Sequence, residues 1–213
     1  MPTSVSNAYL WRDPDGRVHV FDPGMPGDTQ IVLHAAAAAG MRIDHTSSIV
    51  ISHWHRDHSG AAVELAAVTG ATMWAGRADA DVLRGNAEPQ YPDLSAEERA
   101  VFDGLVAAKP DAMHAPRCPH VRAFGNDASI DADGCAIVLD TPGHTAGSIA
   151  IHLIGIDAVL TGDVVINDPD GGLRPGPFNV DNGRAAAQFD RIRTLGAATI
   201  AVGHGTPVHP GVA

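Results

Sequence analysis

Apolar residues in this chain gather into short runs closed by polar or glycine-rich turns, with longer stretches of helical step between them. Alternation of this kind is the pattern of an α/β protein. Ala8 to Trp11 and Val18 to Phe21 flank Asp13-Pro14-Asp15-Gly16, whose turn chemistry predicts a hairpin. Asp28 is placed to cap a helix from Thr29 to Ala39, which Gly40 would end in the left-handed conformation that glycine tolerates. The β-branched run Ile49-Val50-Ile51 reads as a buried strand, Gly60 to Val68 as helix, Ala71 to Ala75 as strand and Arg77 to Arg84 as helix.

Between about Glu88 and Pro119 the pattern changes. Five prolines (89, 92, 110, 116 and 119) surround one amphipathic helix, Ser95 to Ala108, in which Ser95 and Glu98 have the spacing of a capping box. The excursion is expected to be a lid or a partner surface, suited to substrate selection or to dimer contact. Strand-like character then resumes in Ala136 to Leu139, Ser148 to Leu153 and Ala158 to Leu160. A helix over roughly Gly183 to Leu195 sets Ala185, Phe189 and Ile192 on one face, and Ala198 to Val202 is the last strand.

With 213 residues, 45% of them hydrophobic, the chain is long enough for a sizeable core, and one domain over 1–213 with an insertion at about 77–120 is expected. The formal net charge of −11 argues against a nucleic-acid substrate. No apolar run approaches membrane-spanning length, and the first twenty residues lack a basic start followed by a long apolar stretch, so cytoplasmic residence is the expectation. Cys118 and Cys135 are read as reduced, structural thiols.

The chemistry concentrates after Ile51, where His53-Trp54-His55-Arg56-Asp57-His58 packs three imidazoles and a carboxylate between a strand and a helix. Imidazole and carboxylate are the ligands of borderline divalent ions. A solvated His-rich loop would not need to follow a buried strand. Three more strand ends run into loops carrying His144, Asp163 and His204. Seven ligands exceed one tetrahedral site and suit two metals, each with three residues of its own and one shared carboxylate. His19, His34, His45, His114, His120, His152 and His209 lie outside these blocks and are read as surface or core residues.

The ordered series Phe21-Asp22-Pro23-Gly24, His53-x-His55-x-Asp57-His58, Thr141-Pro142-Gly143-His144-Thr145-x-Gly147-Ser148, Thr161-Gly162-Asp163 and Gly203-His204-Gly205 resembles the metallo-β-lactamase-fold hydrolase superfamily over nearly the whole chain. The resemblance implies an αββα sandwich, two mixed β-sheets face to face with helices outside and the metals at one edge. It implies that His53, His55 and His144 hold one metal, that Asp57, His58 and His204 hold the other, and that Asp163 bridges. Asp22 is expected to anchor ligands rather than to bind metal.

The implied activity is hydrolysis of a small ester-like substrate by a metal-bridging hydroxide, thioester or lactone before phosphodiester or β-lactam, with Asp57 orienting the nucleophile. Two divalent ions are expected, zinc ahead of manganese or iron. Lactamases proper often carry cysteine where Asp163 stands. Glyoxalase II-type hydrolases share the ligand set and add a C-terminal helical glutathione domain, whereas this sequence runs only to Ala213. A compact glyoxalase II-like member is the expectation, acting on a small molecule, off the membrane, with homodimer formation open. The alternative is a mononuclear iron persulfide dioxygenase using two of His53, His55 and His144 with Asp163. Trp54, Phe178 and Asn179 are the candidate pocket residues.

Overall fold

The computed structural model describes residues 1–114, 116–125, 128–131 and 133–210. The hairpin read from Asp13 to Gly16 forms: β1 (Tyr9–Arg12) pairs antiparallel with β2 (Val18–Phe21). β3 (Ser48–Ile51), β4 (Thr72–Ala75) and β5 (Arg122–Ala123) add in parallel, giving a five-stranded mixed sheet in the order β1-β2-β3-β4-β5. The second sheet has the order β11-β8-β7-β6, from β6 (Ala136–Asp140), β7 (Ile149–Leu153), β8 (Ala158–Gly162) and β11 (Thr199–Val202). A small hairpin, β9 (Ile166–Asp168) with β10 (Gly172–Arg174), stands apart.

Both faces of each sheet are buried, and the alternation along the strands says against what. In β3, Val50 points into the layer between the sheets with Trp11, Phe21, Ile149, Ile151 and Leu160. Its neighbours Ile49 and Ile51 face the other way, toward Val32, Leu65 and Leu83 of the outer helices. The helices on that side are α1 (Thr29–Ala38), α3 (Ala62–Thr69) and α4 (Arg77–Arg84). On the far side Val159, Ile200 and Val202 pack on α6 (Asn182–Thr194) through Ile192. Helix, sheet, sheet and helix therefore stack as the expected αββα sandwich.

Two expected details differ. Asp28 does not cap α1; its carboxylate accepts from Met25 N at 2.8 Å, Ser4 N at 3.2 Å and the Ser4 hydroxyl, tying the N-terminal segment to the turn before the helix. The helix expected over Gly60–Val68 is α3, Ala62–Thr69, and a separate short helix, α2 (Arg56–Ser59), precedes it; at Gly60 between them a Cβ would overlap Pro26 and the Arg56 carbonyl. The excursion holds α4, then α5 (Ala96–Ala108) and a 3-10 turn, Pro110–Met113; Ser95 and Glu98 form the capping box reciprocally. Cys118 and Cys135 are free, and burial pushes the Cys118 thiol up to about 12. No helix among the described residues is long and apolar enough to cross a membrane.

Candidate metal centre

Strand direction decides where the chemistry gathers. β7 runs against both β6 and β8, and β11 runs with β8, so β6, β8 and β11 all end at the same edge. The loops that follow them carry His144, Asp163 and His204. The loop after β3 reaches the same edge from the other sheet and is joined to it by Ile149 N donating to Ser52 O at 2.9 Å. A Cβ at Gly203 would overlap Asp163 Oδ1, and one at Gly162 would overlap Ser52 Oγ, so glycine is needed where the two sheets' loops close on each other.

The seven sequence-predicted ligands are thereby brought into two abutting sets. His55 Nδ1 lies 3.0 Å from both His53 Nε2 and His144 Nε2. His58 Nε2 lies 3.3 Å from His204 Nε2 and 3.4 Å from Asp57 Oδ2, which is 3.2 Å from His204 Nε2. Asp163 stands between them. Its Oδ1 is 3.3 Å from His58 Nε2 and 3.4 Å from His204 Nε2, while Oδ2 is 3.7 Å from His144 Nε2.

The outer nitrogens show which way the lone pairs point. His58 Nδ1 faces buried Asp22 Oδ2 at 2.8 Å, an acceptor, so that nitrogen carries the hydrogen. Ser52 Oγ gives its own hydrogen to Asp22 Oδ2 at 2.7 Å and so accepts from His53 Nδ1 at 2.8 Å. Asn179 Nδ2 donates to Gly176 O, which turns Asn179 Oδ1 toward His144 Nδ1 at 3.2 Å; Val5 O takes His204 Nδ1 at 3.2 Å. Four imidazoles thus turn their Nε2 atoms inward. Asp22 supports one candidate donor of each set, His58 directly and His53 through Ser52; its carboxylate also accepts from Ser52 N at 2.7 Å, and its backbone is left-handed (φ 52°) with Asp22 N donating to Val50 O at 2.9 Å.

Converging lone pairs at 3.0 Å repel unless a cation sits among them, and a tetrahedral site with metal–nitrogen bonds near 2.0–2.1 Å has edges of about 3.3 Å. The donor set fits a divalent ion on that ground. Asp163 Oδ1, buried and without a hydrogen-bond partner, adds to the fit. Burial holds His53 well below the usual histidine range, His55 down to about 3 and His144 also lowered, so these three are neutral, as ligation requires. Asp163 raises His204 to about 10 against the effect of burial. Burial also opposes a charge on His58, but Asp57, Asp163 and Asp22 together lift it well above its ordinary value. In the metal-free protein, protons on the second set stand where a metal would.

Asp79 of α4, which sequence reasoning passed over, fastens the two ligand loops together. Its buried carboxylate accepts from Trp54 N at 2.8 Å on the first loop, and from Gly147 N at 2.8 Å and Thr145 Oγ1 at 2.7 Å on the His144 loop. Nothing in the helical pattern of 77–84 marks it except a carboxylate on the buried face.

Over the donor sets lies a cavity of about 560 Å³. Its floor includes His55, Asp57, His144, Asp163 and His204, and its walls include Phe102 and Leu105 of α5 with Pro177 and Phe178. Of the expected pocket residues, Phe178 lines it, held at φ 62° with its N–H on Glu98 Oε1 at 3.3 Å and its ring edge-on to Phe102 at 5.4 Å. Asn179 is buried behind His144 as its hydrogen-bond partner, outside the lining. Trp54 is also outside it: its ring packs edge-on to His55 from the core side, with Leu65 and Leu83.

A two-sheet sandwich with two three-residue donor sets and one aspartate between them, all on strand-end loops, defines a class of metal-binding α/β fold. The chain belongs to the metallo-β-lactamase superfamily, whose family model matches residues 1–204. It is 25% identical over 228 residues to the probable metallo-hydrolase YflN of Bacillus subtilis, covering 98% of this chain and 83% of that protein. It is 32% identical over 132 residues to a hydroxyacylglutathione hydrolase of Fuscovulum blasticum, covering 62% of this chain but 38% of that one. Among solved structures, TTHA1623 in a di-iron-bound form shares the fold at a TM-score of 0.69 and 22% identity, covering 100% of this chain and 96% of that one. The BLEG-1 B3 metallo-β-lactamase does so at 0.66 and 22%, covering 97% and 90%.

Proposed function

We propose that this chain is a metal-dependent hydrolase that uses two divalent ions, zinc ahead of manganese or iron, on a small ester-like substrate. Thioester or lactone is favoured over phosphodiester or β-lactam. The observation that carries the reading is the division of Asp163, one carboxylate oxygen toward each donor set, with the second set as complete as the first. The hydroxyacylglutathione hydrolase among the relatives supports an acyl substrate, although the chain spans only 38% of it, and the probable metallo-hydrolase supports hydrolysis.

His53, His55 and His144 would hold one ion, Asp57, His58 and His204 the other, and Asp163 both. Bound there, such ions act as Lewis acids and bring the pKa of a coordinated water toward 7. The chain's own part is positioning. Asp57 is ionised, since His58 and His204 outweigh the burial that opposes its charge, and its partly exposed carboxylate lines the cavity to accept a hydrogen bond from the attacking water. Water oxygen bonds to the acyl carbon, the carbon–sulfur or carbon–oxygen bond breaks, and the proton goes to the departing thiolate or alkoxide. Apolar walls keep other water from competing.

The test is metal analysis of the purified protein with a panel of thioester, lactone, phosphodiester and β-lactam substrates and oxygen uptake with persulfide. Near two ions per chain with thioester or lactone hydrolysis, both lost in Asp57→Ala, is the expected result. One iron with oxygen uptake, or undiminished hydrolysis and metal content in Asp57→Ala, overturns it.

A further inference from the structure

Lys109 is the only lysine in the chain, and it stands at the end of α5 on the wall of the cavity. Arg56, between the ligands His55 and Asp57, lines the same cavity. Among the described residues neither forms an ion pair; Arg17, Arg42, Arg84 and Arg174 do, the other arginines do not, and what sets Arg56 and Lys109 apart is their place on the cavity wall. Carboxylates are not scarce here, with 25 acidic residues against 14 basic. Both cations on this cavity are thus open to an anion of a ligand rather than tied to a side chain of the protein. The other charged group beside Lys109, Asp111, has its Oδ1 3.6 Å from His114 Nδ1.

Much of the remaining wall is apolar, with Phe102, Leu105, Phe178, Pro177, Met25 and Ile166. Phe102 is the one buried residue of α5, although Val101 and Leu105 on the same helix are exposed. A volume near 560 Å³ lies within the range of small-molecule sites, in which apolar lining supplies affinity and a few polar groups fix orientation. An acidic protein also repels anions at a distance, so an anionic substrate would need local cations to be retained.

We infer that the substrate is an amphiphilic anion: an acyl thioester or ester whose apolar part packs on Phe102, Leu105 and Phe178 and whose carboxylate or phosphate meets Lys109 and Arg56. This rests on the hydrolase reading above, and adds to it where the substrate's charge lies. Charge-assisted hydrogen bonds at the rim give discrimination of about tenfold against a neutral isostere.

Two measurements on the metal-loaded enzyme test it. In the first, the hexanoyl thioester of 3-mercaptopropionate is compared with that of neutral 3-mercaptopropionamide. The anionic thioester is expected to have the lower KM by about tenfold. Lys109→Gln and Arg56→Gln each shrink that ratio and Lys109→Glu reverses it; equal KM values in the wild-type protein overturn the inference.

The second measurement needs no turnover. The sole lysine is acetylated with an N-hydroxysuccinimide ester and its peptide followed by mass spectrometry, which separates it from the N-terminal amine. N-hexanoyl-β-alanine or hexanoyl phosphoethanolamine is expected to slow labelling several-fold, and N-hexanoyl-3-aminopropanol is not. Protection by either anion supports the assignment and shows which anion fits better; protection by neither, or equal protection by the neutral amide, overturns it. If no thioester is hydrolysed but an anion still protects Lys109, the hydrolase reading fails and the anion site stands.

Discussion

Replacing Asp79 by alanine tests whether the centre is held by the clamp between its two ligand loops. The substitution leaves Trp54 N and Gly147 N without acceptors in the interior, while Thr145 Oγ1 keeps Ser148 Oγ at 2.7 Å. Two orphaned buried donors cost about 2–6 kcal/mol together. A second term opposes this. Burial raises the Asp79 carboxyl to about 6 from an ordinary 3.8, so the folded state holds its proton more tightly than the unfolded one. A raised acid of this kind lowers stability as pH climbs from about 4 through 6, by about 3 kcal/mol once both states are ionised. Alanine has no such term, so its deficit against the wild type is largest in acid and shrinks by about 1–1.5 kcal/mol between pH 5 and 7.5. Urea unfolding of the metal-free wild type and Asp79→Ala at the two pH values measures it. Metal affinity should fall as well, by about 10–100-fold, as it does when the supports of ligands are lost. A stability deficit that does not change with pH, or unchanged metal affinity, would refute the clamp.

The other expectations are simpler to read. Asp22→Asn keeps a residue that tolerates positive φ but cannot accept from Ser52 N, Ser52 Oγ and His58 Nδ1 together, so affinity at both metal positions should drop about 10–100-fold in chelator competition. Titrating metal into the metal-free protein at pH 7 should release about two protons, all on filling the second set, because His58 and His204 are held above neutrality while His53, His55 and His144 are held below it; an indicator dye reads this. The same His204 shift means that its contribution to metal-free stability is complete below pH 6.5 and is lost as pH rises from there toward 10, a loss that bound metal should abolish.

Elements whose residues alternate or step regularly were legible in the sequence to within a residue or two: α4 over Arg77–Arg84, α5 with its Ser95 cap, and strands β2, β3 and β8. The seven residues that gather at the candidate centre were legible for a different reason, since each follows a strand and sits beside glycine or another of the set in a short block. The misses share one physical cause. β5 is two residues long and β9 and β10 three each, too short for periodicity, and they exist through neighbours supplied from elsewhere in the chain. Asp28 offered a cap by local chemistry, but Ser4, 24 residues away, claimed its carboxylate. Ser52, Asp79 and Val5 act through partners 25 or more residues distant, and no local pattern marks such a role. Trp54 next to a ligand suggested a pocket, yet in the strand-to-helix turn alternate side chains face opposite ways, and His55 took the cavity side.

The segment 176–182 joins what the fold keeps constant to what its excursion adds. Through Asn179 Oδ1 it sets the tautomer of His144, and through Phe178 it forms the cavity wall. The excursion is fastened to the same segment: Asp93 N donates to Asn179 O at 2.8 Å, Asn182 Nδ2 to Asp93 O at 2.9 Å, and Phe178 N to Glu98. Apart from the Phe102 contact these are polar bonds near the surface, individually worth about 0.5–1.5 kcal/mol. The excursion can therefore be remodelled with little effect on the sandwich, whose core lies in the three layers of apolar clusters. It cannot be remodelled without touching Asn179, which orients the candidate donor His144. If the proposed function holds, substrate selection and metal geometry are coupled through this one loop, and changes in specificity by way of α5 should carry a change in metal affinity at His144 with them.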